Sequence, residues 1–356
     1  MRKSKQSKLL IVLLSITFLS GCWDIKDIDK RSLPLVMGIS GGGSQGFQVS
    51  LQIPISQKSS QESRVVSGKG ANLTSVLEQF RMNSEDAIDY SQIRLIIIHS
   101  EFANNRNQME KLIKFLMGFK EIPSNVLLAI TNDSVEKVLS NINNKLGVNA
   151  TAIYGYFNKG DAWAPEIFST AIWEVYQSLL SYTKDIPIPL VRSGEDTVLS
   201  FEGYTILTKG KASEVIGPNE GHLINLFHNN AAKRKLDSLD FSSMIITNSS
   251  LQNKISLKNN IPKVSSNLIL DIEVLEKDEG VTNNRIKDEY ERLIEEKFYQ
   301  LLEKSQAKNI DIFGFGQQFR SLIPYHELRN WKNDYYPKLK VDFRVHVNSD
   351  EEPLIK

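Results

Sequence analysis

Ile93-Arg94-Leu95-Ile96-Ile97-Ile98 is the stretch on which the fold turns. Its nearly unbroken apolar run suits a strand covered on both faces, not one with a wet side. Upstream, Leu73, Val76, Leu77 and Phe80 fall at i, i+3, i+4 and i+7, and Asn72 is placed to cap that helix. Downstream, Met109, Leu112, Ile113 and Leu116 share one helical face, followed by a strand at 126–130 and a helix at 134–139. Nearer the start, residues 33–39 are apolar, and Phe47, Val49, Leu51, Ile53 and Ile55 alternate with Gln48, Ser50, Gln52 and Pro54. That alternation predicts a hairpin, which a polar loop at 56–63 separates from the short strand around Val65 and Val66. Strands alternating with helices imply a mixed sheet with crossover helices.

A further amphipathic helix is predicted over 164–180. In Asp185-Ile186-Pro187-Ile188-Pro189 the two prolines forbid its continuation, so residues 22–190 are assigned to an N-terminal domain. Residues 191–260 read as a small middle unit, with a hairpin (203–208 and 212–216) turning at Lys209-Gly210, a helix near 220–227, and strand pieces at 241–247 and 254–257. Asn259-Asn260-Ile261-Pro262 is taken as the second boundary. Residues 261–356 then carry a strand at 268–275, the longest helical pattern in the chain, and the alternating Val341, Phe343, Val345 and Val347. The stripe Ile286, Tyr290, Leu293, Ile294, Phe298, Leu301 and Leu302 predicts packing on the unit's own sheet, with docking on a partner as the alternative. The expected fold class is α+β, in three domains with mixed β-sheets and packed helices.

Residues 1–21 read as a leader. Arg2, Lys3, Lys5 and Lys8 precede an apolar run at 9–19, which is shorter than the roughly 20 residues of a spanning helix. The run stops at Leu19-Ser20-Gly21-Cys22, a lipobox. Small Ser20 and Gly21 let a peptidase cut, and the Cys22 thiolate is nucleophilic enough to take a diacylglyceryl group, with an N-acyl chain to follow. At about 0.8 kcal/mol per buried methylene, two or three chains on one residue give stable anchoring to a membrane. A plain secretory signal, or an uncleaved helix with Cys22 incidental, is the competing reading. Against it, Cys22 is the chain's single cysteine, which also forbids an internal disulfide.

The chain holds 43 Lys and Arg against 42 Asp and Glu, and four of the basic residues lie in the leader. The remaining body is slightly acidic, which argues against nucleic acid as a partner. With 356 residues, 41% of them hydrophobic, the chain has room for more than one real core.

Chemistry is sparse. Gly42-Gly43-Ser44-Gln45-Gly46 fits the G-x-S-x-G pattern, but a nucleophile elbow needs strand, turn and helix, whereas residues 47–55 continue as a strand. A lipid-anchored hydrolase using Ser44 is therefore disfavoured, and no enzyme activity is expected. His99, His222, His228, His326 and His346 are scattered and no second cysteine exists, so no metal is expected. Gly314-Phe315-Gly316 has Phe319 where a dinucleotide fingerprint needs its third glycine, and no cofactor is expected. A solute-binding lipoprotein of a transporter is the alternative function. It requires two similar doubly wound lobes, which the uneven segments and hairpins oppose.

Two blocks resemble the Ger(x)C family, the lipoprotein C subunit of the nutrient receptors that trigger germination of endospores. The first is Gly21-Cys22-Trp23-Asp24-Ile25-Lys26-Asp27-Ile28, running into Leu35-Val36-Met37-Gly38-Ile39. The second is Asp311-Ile312-Phe313-Gly314-Phe315-Gly316, followed by Trp331 and Lys340-Val341-Asp342-Phe343-Arg344-Val345. Phe201-Glu202-Gly203-Tyr204 is similar to the opening of the family's middle domain. Ser40, where members often carry Asp, and the tail 348–356 depart from the pattern. The resemblance implies a three-domain α+β protein on the outer face of the spore inner membrane, or of the cell membrane, complexed with two integral-membrane receptor subunits. It further implies that Trp23 and Asp24 follow the anchor directly. Trp23 is suited to the headgroup level, the bland alternative being an exposed aromatic of no consequence. Asp311 is suited to capping the next helix, Gly314 and Gly316 to close backbone approach, and Phe313 to the core, with direct partner contact as the alternative.

Overall fold

Ile96 and Ile98 point to one face of the strand Leu95–His99 and Leu95 and Ile97 to the other, and all four are buried. The strand lies inside a nine-stranded sheet with helices on both sides. The computed structural model describes residues 31–41, 46–55, 63–147, 149, 153–157, 167–228 and 235–349. The leader, Leu19, Ser20, Gly21, Cys22, Trp23, Asp24, Ser44 and the tail from 350 on lie outside the described residues.

The principal strands of this sheet are β1 (Val36–Gly41), β2 (Phe47–Pro54), β3 (Ser63–Gly70), β4 (Leu95–His99), β5 (Leu127–Thr131), β6 (Ile186–Ser193), β7 (Leu199–Thr208) and β8 (Lys211–Ile216). Their spatial order is β8-β7-β6-β5-β4-β1-β2-β3. The inner four, β6, β5, β4 and β1, run parallel, and an antiparallel arm extends the sheet at each edge. Helices α1 (Leu73–Asn83), α2 (Arg106–Gly118), α3 (Val135–Leu146) and α4 (Ile172–Leu180) supply the cover. α1, α2 and α4 bury their apolar stripes on the face of Ile39, Ile96 and Ile98; α3 covers the face of Val36, Leu95 and Ile97. Asn72 caps α1, its side-chain oxygen accepting from the Ser75 N–H at 2.8 Å. β1 and β2 pair antiparallel with Gly41 opposite Phe47, so the G-x-S-x-G run joins two strands of a hairpin rather than a strand and a helix.

α4 is shorter than the helix expected over 164–180. Thr170–Ala171 pairs with β5, and this ladder withdraws its backbone from helical bonding. Glu174 then accepts from the Ala171 N–H at 2.9 Å and closes the helix start.

The second sheet holds β9 (Lys235–Leu239), β10 (Ser242–Lys258), β11 (Ile261–Lys277) and β12 (Lys340–Ser349), in that order, with β12 parallel to β11. It packs with α5 (Pro218–Phe227) and α6 (Asn283–Ala307) around one aromatic-rich core. The α6 stripe packs on its own sheet, with Phe298 stacked on Phe343 at 4.1 Å between ring centres. Edge strand β12 is also sealed by α6. Tyr299 Oη, Glu295 and Glu291 accept from the N–H groups of Phe343, Val345 and Val347 at 3.0, 2.9 and 2.7 Å. An edge whose donors are filled is poorly placed to pair with another chain.

The stretch 191–260, expected as a separate middle unit, is divided between the two sheets. β7 and β8 extend the first; α5, β9 and β10 belong to the second core. The physical reason lies in Pro187 and Pro189, which exclude a helix but fit extended backbone, so β6 runs through both with Ile206 and Tyr204 opposite them. The two strand pieces expected at 241–247 and 254–257 are one strand, β10. Asn259 and Asn260, read as a boundary, form its turn: both adopt positive φ, 51° and 58°, as a two-residue type I′ hairpin requires. The two sheets share neither strand number nor order, unlike the paired lobes of a solute-binding protein.

Candidate functional site

Behind α6 the chain passes through Asn309, at positive φ, and buries Ile310, Asp311, Ile312 and Phe313 in succession. Gly314 then takes a left-handed φ of 69°, where an L side chain is strained, and a short helix, Phe315–Gln318, begins. Asp311 caps this turn. Its carboxylate accepts from the N–H of Phe315 at 3.0 Å, the N–H of Gly316 at 2.6 Å and the indole N–H of Trp331 at 3.1 Å. Phe313 and Phe315 meet Phe227 in the second core. Trp331 is fully buried and stacks on Phe319. A Cβ on Gly316 would stand 2.5 Å from the Trp331 indole nitrogen and 2.9 Å from Thr183 Cβ, so only glycine fits there. The motif residues Asp311, Phe313, Gly314, Gly316 and Trp331 thus meet in one place.

That place is the seam between the two sheets. The Asp311 N–H donates to Asp185 Oδ2 at 2.8 Å, and Asp185 stands at the head of β6 in the first sheet. The other Asp185 oxygen pairs with Lys332 Nζ at 2.5 Å. Gln317 Nε2 donates to Thr183 Oγ1 at 2.7 Å across the same seam. Asp185, Lys332, Thr183 and Gln317 were not singled out in the sequence. Asp185 precedes the two prolines and Lys332 follows Trp331, but no local pattern pairs residues 147 apart.

Both carboxylates are completely buried. Burial pushes the Asp311 carboxyl up to about 7; the Gly316 N–H opposes the rise, and the charge of Asp185 adds to it. His228 lies on the other side of the motif, its Nε2–H donating to the Ile312 carbonyl at 3.0 Å, and burial holds its pKa down. The neutral imidazole is consistent with that bond. Asp185, Asp311 and Trp331 are fully buried and their polar atoms are spent on one another and on their neighbours, so the arrangement locks one sheet to the other. Among the described residues, no set of three His, Cys, Asp or Glu side chains is placed to hold a metal ion, and no helix is long and apolar enough to cross a membrane.

The two halves joined at this seam each have counterparts. Residues 24–193 match the spore germination protein N-terminal domain, and residues 202–351 match the spore germination B3/GerAC-like C-terminal domain. The chain is therefore built from the two domains of a spore germination protein. The gap between the matches, 194–201, takes in the β6–β7 connection and the first residues of β7, within a single continuous sheet. Among solved structures, the crystal structure of the GerBC protein is similar with a TM-score of 0.56 and 14% identity, over 88% of this chain and 96% of that one. This likeness supports the α+β fold. No curated protein matches the sequence. The chain belongs to the spore germination B3/GerAC-like family of germinant receptor subunits.

Proposed function

We propose that the protein is a non-catalytic, lipid-anchored subunit of a spore germinant receptor, held on the outer face of the spore inner membrane or cell membrane. Diacylglyceryl and N-acyl chains on Cys22 are its anchor, and two integral-membrane receptor subunits are its partners. The observation that carries this reading is collinearity. The family matches begin at Asp24, two positions after the Cys22 of Leu19-Ser20-Gly21-Cys22, and with a break at 194–201 run to 351. A body so attached works by assembly and signal transmission, and the Asp185–Asp311–Trp331–Lys332 seam supplies the rigidity such a role needs. The test is Cys22→Ala in spores. The variant should leave the membrane fraction and weaken or abolish nutrient-triggered germination. Full membrane retention in a strain lacking the partner subunits, or an unmodified and unprocessed N-terminus by mass spectrometry, defeats the anchor.

A further inference from the structure

β10 and β11 turn one face to the core and leave the other exposed, and at the hairpin tip the exposed positions are lysines. Register places Lys263 directly beside Lys340 of β12 and opposite Ser256 of β10. Lys254, opposite Ser265, and Lys258, opposite Ile261, are its diagonal neighbours two positions to either side. All four lysines are exposed, and among the described residues none makes an ion pair. One carboxylate, Asp342, lies in the neighbouring row and is held by Arg344 at 3.3 Å. Like charges side by side on adjacent strands are destabilising. The other end of the same face is acidic, with Asp271, Glu273 and Glu276. In a chain with nearly balanced charge, the face is polarised along its strands, positive at the tip.

We infer that this lysine corner, Lys254, Lys258, Lys263 and Lys340, is a docking surface for anionic phospholipid headgroups, which sets the sheet tip-down on the bilayer. The setting rests on the lipid-anchored reading: eight residues separate Cys22 from Arg31, a reach of about 30 Å over nine peptide links, so the head stays close to a charged surface. Lysines near an anionic leaflet are attracted to it, and salt screens the attraction. The acidic end of the face is repelled, so one orientation is selected.

The test uses the processed chain from residue 22 carrying Cys22→Ala, so that no lipid contributes, in co-sedimentation with vesicles. Binding is expected to vesicles of phosphatidylglycerol and phosphatidylcholine at low salt, and to be lost at high salt or on phosphatidylcholine alone. At about fivefold per lysine, changing all four to Gln should weaken binding roughly 10²- to 10³-fold. Changing the same four to Arg should preserve it, which separates charge loss from misfolding. A control with Lys69, Lys111, Lys120 and Lys211 changed to Gln should bind as the parent does. Equal binding by the four-Gln variant and the parent overturns the inference, as does equal binding to neutral vesicles. Capture by transfer RNA with no vesicle binding overturns it too and assigns the corner to nucleic acid. Because Cys22 is absent from every arm, failure here leaves the anchor proposal standing, and failure of the anchor in spores leaves this result standing.

Discussion

Gly316→Ala tests whether the seam is as tightly built as the geometry states. The new Cβ would lie 2.5 Å from Trp331 Nε1, 2.8 Å from Cε2 and 2.9 Å from Thr183 Cβ. The indole has little room to retreat, being stacked on Phe319 at 5.3 Å and on Tyr335 at 6.2 Å. Forcing it aside is an overpacking of about 1–3 kcal/mol. A shift of about 1 Å also breaks the 3.1 Å bond from Trp331 to the Asp311 carboxyl, which at about pH 8, where that group is ionised, is a bond to a charged group and contributes about 1.5–3 kcal/mol. The expected destabilisation is about 4 kcal/mol. At roughly 2 °C per kcal/mol for a large chain, thermal unfolding followed by tryptophan fluorescence should drop by about 8 °C. Gly314→Ala is the internal comparison. There the Cβ stands 3.4 Å from His228 Cε1, ordinary contact, and only the left-handed backbone is strained, costing about 1–2 kcal/mol. A Gly316→Ala protein as stable as Gly314→Ala would show that the indole is not clamped, and the argument for a rigid seam would fail.

Further outcomes are expected. The Asp311 carboxyl titrates near 3.8 when unfolded and about 7 when folded, so between those values the native state keeps a proton the unfolded chain has released. Its contribution to stability is therefore full below about pH 4 and lost as pH rises through about 7; urea midpoints across this window should fall more steeply in the parent than in Asp311→Asn, and parallel curves would contradict the assignment. Lys332→Met leaves Asp185 buried without its cation and should cost about 3–5 kcal/mol, much of it recovered when Asp185→Asn is added; an unrecovered double variant would mean the pair is not the cause. Asn72→Ala removes the α1 cap and should lower stability by about 1 kcal/mol by urea titration, with no change meaning that the Ser75 N–H finds water as readily.

Much of the architecture is legible in the residues because its signals are local. The i, i+3, i+4 spacing in α1, α2 and α6 reports a face to be buried. The unbroken run of β4 reports two covered faces, and Asn72 announces a helix start. The lipobox and the two family blocks are local in the same sense. Proline and asparagine were the ambiguous punctuation: Pro187 and Pro189 exclude a helix but allow a strand, and Asn259-Asn260 suits a linker or a type I′ turn equally.

Composition and periodicity alone therefore determined most of the element types, though not β6 or the strand at Thr170–Ala171, together with the α+β class, the slightly acidic body and the single cysteine. Only the tertiary structure decided that β7 and β8 join the first sheet, that β10 is one strand, and that Asp311 meets Asp185. The difference is physical. A helix or strand is specified by side chains a few positions apart, whereas strand order and the seam depend on which surfaces desolvate together, and contacts as distant as Lys332 and Asp185 leave no mark in either neighbourhood.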